Sequence, residues 1–279
     1  MDYEEKHEII KMTRKGYMEA KAVEEVRNAA LKETEAATIV NSYAEAEAIG
    51  YSADDLGLLP DSITVDAGCA NPIAVAGLKE GEQVIIVGYR TAADIFLAAA
   101  KVGLKGHVVG IEESPEEVTL IRTAAKAADY ASIEVRVGED ENLPVADKSF
   151  DAAITNCAIT FSGDKPRVIR EMFRALKPGG RILLCEPVIN KSASRAVMAT
   201  VREYLECLES GFFKEDYLRA LKKAGFKKIK AIDEIAFPVS RMQKDSKAAA
   251  LLASNAIDAA ALEGITSATS SVKITAVRP

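Results

Sequence analysis

The chain has 279 residues, of which 48% are hydrophobic and 28% charged, the balance of a globular protein able to bury a sizeable core. Lys and Arg number 36 against 42 Asp and Glu, a formal charge of −6, which excludes a general nucleic-acid binder because phosphate affinity comes from clustered cations. No uncharged apolar run approaches the roughly 18 residues of a membrane span, and the charged start MDYEEKHEIIKMTRKGY lacks the apolar segment of a secretory signal.

Residues 1–50 are rich in Glu, Lys and Ala, contain no Pro and carry apolar residues at helical intervals, which predicts helix. Ser52 opens a short turn of helix, with Asp55 as its capping partner. Residues 63–78 are irregular and broken by Gly and Pro. From residue 80, strand and helix alternate. Strands are predicted at 83–87, 107–111, 133–137, 152–156 and 181–185. The short apolar run QVIIV suits a parallel strand buried on both faces. Helices are predicted at 91–102, 114–128 and 164–176, the first with a Thr91/Asp94 capping box, the second with Pro115 in its first turn. The turn Lys177-Pro178-Gly179-Gly180 ends the third helix. Beyond Pro187 the sequence predicts helices at 193–209, 214–224 and 247–261 and strands at 227–233 and 271–277. This pattern means βαβ units and a doubly wound, mostly parallel sheet, an α/β fold of Rossmann-like type. The expected organisation is a helical N-terminal extension (1–60), the α/β domain (61–190) and a small C-terminal α+β subdomain (191–279) that completes the sheet and covers the site.

Four cysteines, Cys69, Cys157, Cys185 and Cys207, are too few for a disulfide framework and point to a reducing cytosol. None stands in a CxxC pair, so a metal or metalloid site must be assembled from distant positions.

Ligands of an open parallel sheet bind at the C-terminal ends of its strands. Glu112 ends the second strand, 24 residues beyond Gly88, where a carboxylate commonly accepts ribose hydroxyls. A solvated loop glutamate is the alternative. The turn with Glu139 and Asp140 after the third strand can contact an adenine ring, or can be an acidic surface turn. Asn156-Cys157 closes the fourth strand, so the thiol either points into the ligand crevice or packs inside. The first loop is anomalous. A nucleotide-binding turn wants glycines so that the backbone can approach its ligand, yet Gly88-Tyr89-Arg90-Thr91-Ala92 keeps one. Arg90 could offer a cation to a carboxylate or phosphate beside the helix N-terminus that carries Asp94.

Several stretches carry a resemblance. They are Tyr51–Leu56, Gly68-Cys69-Ala70-Asn71-Pro72, Leu143–Asp147, Thr155-Asn156-Cys157, Asp164–Val168, Arg174–Gly180 and Glu206-Cys207-Leu208. In these the chain resembles the arsenite methyltransferases of the class I S-adenosylmethionine-dependent family. The resemblance implies methyl transfer to a trivalent metalloid held by three thiolates, which fall on Cys69, Cys157 and Cys207; Cys185 then reads as structural. It implies S-adenosylmethionine as cofactor, held by Gly88, Arg90, Asp94, Glu112, Glu139, Asp140 and Asn156. The partner is a small-molecule or metalloid substrate, with neither nucleic acid nor membrane involved. The cofactor loop departs from the family pattern at Ile86, Arg90 and Ala92. The alternative is therefore a cofactor-impaired relative that binds a soft metal or metalloid as sensor, scavenger or pseudoenzyme.

Overall fold

The structure is a computed structural model that describes residues 46–65, 69–88, 91–189, 213–236 and 268–279, all within the compact unit Glu45–Pro279. Most of the helix expected over 1–50, and those expected at 193–209 and 247–261, lie outside the described residues.

Seven strands form one sheet: β1 (Gln83–Gly88), β2 (His107–Glu112), β3 (Ile133–Val137), β4 (Phe150–Asn156), β5 (Leu176–Ile189), β6 (Lys227–Ala236) and β7 (Thr269–Val277), in the order β3-β2-β1-β4-β5-β7-β6. The first five are parallel, and β7 runs antiparallel to both β5 and β6. The strand order reverses between β1 and β4, where Gly88 and Asn156 are registered partners at the strand tips. That reversal is where such a sheet opens its ligand crevice.

The helices among the described residues are α1 (Ala53–Leu56), α2 (Ala92–Val102), α3 (Pro115–Ala127), α4 (Ala158–Phe161), α5 (Lys165–Ala175) and α6 (Lys214–Ala224). The alternating side chains of β1 divide two cores. Val84 and Ile86 pack with α2, α3 and the segment carrying Ile49, Tyr51 and Leu56. Ile85 and Val87 pack with Ile159, Val168, Met172 and Tyr217 on the other face. Helix starts follow local chemistry. Ser52 and Asp55 form the expected reciprocal box at α1, and the side chains of Ser114 and Asp164 accept from the third residues of α3 and α5. No helix among the described residues is long and apolar enough to cross a membrane.

Two local expectations are corrected. Thr91 does not cap α2 with its side chain; its hydroxyl donates to Glu112, and Asp94 accepts from Tyr51 and Asn156 instead of from its own helix end. The fifth strand spans 14 residues instead of five, because β7 pairs with it as far as Ile189 and Leu176 pairs with Phe150 of β4 at its start. The Lys177–Gly180 turn survives as an irregularity near its start, where Gly179 has φ 82°.

Candidate active site

Two features meet at the tips of β1 and β4: an acid-lined cavity and a buried group of thiols.

The cavity, about 540 Å³, is lined by Gly88, the β2 end (Glu112, Glu113), the start of α3, Asp140 and Glu141, and Ala158, Ser162 and Gly163. Such a volume suits a small-molecule site. Glu112 is buried; its Oε1 accepts from the Thr91 N–H and hydroxyl, both at 2.7 Å. Asp140 is 8% exposed, and its Oδ1 is buried with no hydrogen-bond partner. Burial first, then the charges of Glu113, Glu141 and Glu112, push its carboxyl up to about 7. An orphaned buried oxygen on a residue that lines a cavity is an unmet acceptor, and such groups are rare unless something fills them. Glu141 lines the cavity too, but its carboxylate is already partnered. It accepts from the Ser162 hydroxyl and the Gly163 N–H, and these bonds hold its carboxyl below the usual range. The loop is tied down by Arg174, which donates to the Leu143 and Val145 carbonyls and to Glu171 and Asp147.

Gly88 also lines this cavity, but its lack of a side chain serves the sheet. A Cβ there would stand 2.7 Å from the Asn156 carbonyl oxygen and from Thr91 Cγ2. Gly88→Ala should therefore cost about 1–3 kcal/mol, visible as a lowered urea midpoint; an unchanged midpoint would refute this packing account.

The thiols adjoin the cavity through Cys157, which precedes its lining residue Ala158. Cys69, Cys157 and Cys185 are buried and pack together with Ala70. Cys69 and Cys185 Sγ are 3.7 Å apart. The Cys157 N–H donates to the Cys185 carbonyl at 2.9 Å, extending the β4–β5 ladder by one residue. Cys157 then turns the chain from β4 into α4 with φ 63°, a left-handed conformation that costs a non-glycine residue roughly 1–2 kcal/mol. Strain of this kind gathers at functional turns. It places the thiol one residue before Ala158 of the cavity wall. Hydrogen bonding with Cys69 and burial push the Cys157 thiol well above its ordinary value, and burial followed by Cys69 does the same to Cys185.

Asn156 organises this floor. Its Oδ1 accepts the Cys69 N–H at 3.0 Å and faces the Cys69 and Cys157 sulfurs at 3.6 and 3.9 Å. Its Nδ2 donates to the Ala70 carbonyl and to Asp94 Oδ2 at 3.0 and 2.9 Å. Tyr51 donates to Asp94 Oδ1 at 2.6 Å. Burial raises the Asp94 carboxyl to about 6 despite these two bonds. Behind the thiols, Glu186 is fully buried and accepts from Thr155, the Ile159 N–H and both donors of Thr160. Burial, then Cys69, pushes it up to about 8.

The residues expected from the sequence thus separate. Gly88, Glu112 and Asp140 line the cavity. Asn156 and Asp94 do not; both are spent inside the floor, because each polar atom finds a buried partner there. Glu139 is exposed and pairs with Asn142 to shape the turn. Cys69 and Cys157 come together, whereas Arg90 and Cys207 lie outside the described residues. Cys185, expected to be structural, touches Cys69. Tyr51, Glu117 and Glu186 were not singled out from the sequence, and Glu113 and Ser114 lay in the strand-end loop 112–115 without a role of their own. Their roles come from residues distant in the chain, and only the Tyr51 segment stood in a matching stretch.

Comparison with known proteins agrees with this architecture. An arsenite methyltransferase from Halobacterium salinarum is 34% identical over 183 residues, 66% of this chain and 47% of that protein. One from Aquipseudomonas alcaligenes is 29% identical over 166 residues, again 47% of its length. A demethylmenaquinone methyltransferase from Listeria welshimeri is 33% identical over 105 residues, 38% of this chain and 44% of that protein. The chain therefore spans about half the length of the curated relatives it matches. The crystal structure of an arsenic(III) S-adenosylmethionine methyltransferase from Chlamydomonas reinhardtii superposes with a TM-score of 0.56 at 24% identity, covering 83% of this chain and 72% of that one. A geranyl diphosphate methyltransferase in complex with S-adenosylmethionine gives 0.56 at 16% identity, covering 75% and 83%. These two likenesses show the fold. With residues 78–225, more than half of its length, matching the methyltransferase-domain family, and with the crevice where that fold opens it, the chain belongs to that family.

Proposed function

We propose that the protein transfers a methyl group from S-adenosylmethionine to a trivalent metalloid, arsenite being the model substrate, held by cysteine thiolates. The observation that carries this reading is the adjacency of the two halves: Cys157 sits one residue from the cavity wall and packs with Cys69. The similarity to arsenite methyltransferases supports the choice of substrate, and buried reduced thiols suit a reducing cytoplasm.

The residues present fit the cofactor. The unmet Asp140 oxygen is an acceptor for an exocyclic amino group, and Glu112 stands where ribose hydroxyls are accepted. Acidic side chains line the cavity and favour a cation. S-adenosylmethionine, when bound, supplies an electrophilic sulfonium methyl. The chain's own work is positioning and water exclusion. Soft thiolates select a soft trivalent centre over hard cations. Arsenous acid exchanges its hydroxyls for thiolates, and each thiol proton leaves in a water molecule, so raised thiol pKa values need no base to overcome them. The arsenic lone pair carries no proton, so no general base is required for its attack.

Asp140→Ala should weaken S-adenosylmethionine binding about tenfold or more, the worth of one hydrogen bond to a charged group. Calorimetric titration of that variant checks it, and an unchanged affinity would remove Asp140 from the site. The same titration on the wild type, with and without arsenite, tests the whole reading. Micromolar binding supports it. Arsenite capture without any heat from millimolar cofactor would instead support a metalloid-binding relative with impaired cofactor binding, a reading favoured by one observation. The Thr91 N–H, the donor that opens the first loop's helix, is already taken by Glu112.

A further inference from the structure

We propose that Cys69 and Cys185 form a dithiol site that chelates trivalent arsenic. This assigns a ligand role to a fourth cysteine, and it rests on the metalloid reading above. The two sulfurs are 3.7 Å apart. That is far beyond a disulfide, whose sulfurs are about 2.05 Å apart. It is instead close to the roughly 3.5 Å that separates two thiolates bound to one pyramidal trivalent centre, taking zinc-like bond lengths of about 2.3 Å.

The placement of the pair comes from the fold. Cys185 lies on β5, locked between β4 and β7 by registered pairing with Asn156 and Lys273. Cys69 arrives from a loop 116 residues away, and its N–H is fixed by the Asn156 side chain. Both thiols are therefore held by elements that do not depend on a ligand. Ser271 lies 3.8 Å from the Cys185 sulfur, and the buried Lys273, registered partner of Cys185, gives its ammonium to Asp233 at 2.8 Å. Among the described residues no group of three or more Cys, His, Asp and Glu side chains is arranged to hold a metal ion. A ligand that needs two sulfurs is thus what this part of the molecule offers ready-made.

Phenylarsine oxide is the probe, because it takes two thiolates. Two As–S bonds form, the As–O bonds break, and the oxygen leaves as one water with both thiol protons; arsenic stays trivalent. The chain has four cysteines, so the double variant Cys157→Ser/Cys207→Ser retains only Cys69 and Cys185. Circular dichroism verifies its fold. Cys157→Asn replaces Cys157→Ser if needed, since Asn tolerates the left-handed backbone. The expected result, by native mass spectrometry at equilibrium, is one phenylarsenic adduct per chain that resists a monothiol wash. Adding Cys185→Ser should lower retention at least tenfold. No adduct on the double variant, or an adduct that survives Cys185→Ser, would overturn the proposal. Wild type that captures the probe at this pair but shows no arsenite-dependent methyl transfer would sink the methylation reading alone.

Discussion

Asn156→Ala is expected to lower folding stability by about 3 kcal/mol and to weaken arsenite capture with it. The side chain is 2% exposed, and its removal takes a partner from the Cys69 N–H, from Asp94 Oδ2 and from the Ala70 carbonyl. Each buried group left without a partner costs about 1–3 kcal/mol. For a domain of this size the loss corresponds to about 6–12 °C in melting temperature. Asn156→Asp is the sharper companion. It sets a second carboxylate against Asp94, at the position now 2.9 Å from that oxygen, so it should be tolerated near pH 5, where the pair can share a proton, and fail near pH 8. A melting temperature within about 2 °C of wild type for Asn156→Ala would contradict the role assigned to this residue.

Stability of the ligand-free protein should fall as pH rises from 5 to 8. Three buried carboxyls have raised pKa values, Asp94 to about 6, Asp140 to about 7 and Glu186 to about 8, burial being the largest cause in each. Between their ordinary values near 4 and these raised ones, the native state binds more protons than the unfolded chain. Unfolding free energy therefore declines with pH across that window, by about 1.4 kcal/mol per pH unit per group. The fall is steepest around pH 5–6 and flattens above the Glu186 value. Carboxyls with lowered values, such as Glu82 beside Arg181 and Glu171 beside Arg174, act oppositely but only in more acidic solution. The total decline from pH 5 to 8 should be on the order of several kcal/mol, read from urea midpoints at three pH values. Asp140→Asn should reduce it, because a neutral amide replaces a carboxylate whose Oδ1 has no partner to lose. A midpoint that rises steadily toward pH 8 would contradict the burial of these groups.

Much of the fold was legible because parallel strands buried on both faces must be short apolar runs. The 133–137 strand and the 214–224 helix stand where their patterns put them. What stayed hidden was set by distant partners. The spacing of Thr91 and Asp94 reads as a capping box only while Glu112, Tyr51 and Asn156 are out of sight. The length of β5 follows from β7, about 90 residues later along the chain. Cys185 ends an apolar strand, which in isolation signals packing; the Cys69 sulfur beside it belongs to a loop whose position no local pattern gives. Glu186 next to it looks like a surface carboxylate until α4 places its N–H groups over it. Asp140 could be nominated from the strand-tip rule, but its unmet oxygen required the cavity.

The acid-lined cavity and the thiols that adjoin it through Cys157 are proposed to serve one reaction. The direct measurement is mass spectrometry of products from the reduced protein incubated with S-adenosylmethionine and arsenite. The account predicts methylated arsenic and an equal amount of S-adenosylhomocysteine, both lost in Cys157→Ser. Arsenite and S-adenosylmethionine bound together, with no methyl group moved after many hours, would contradict it.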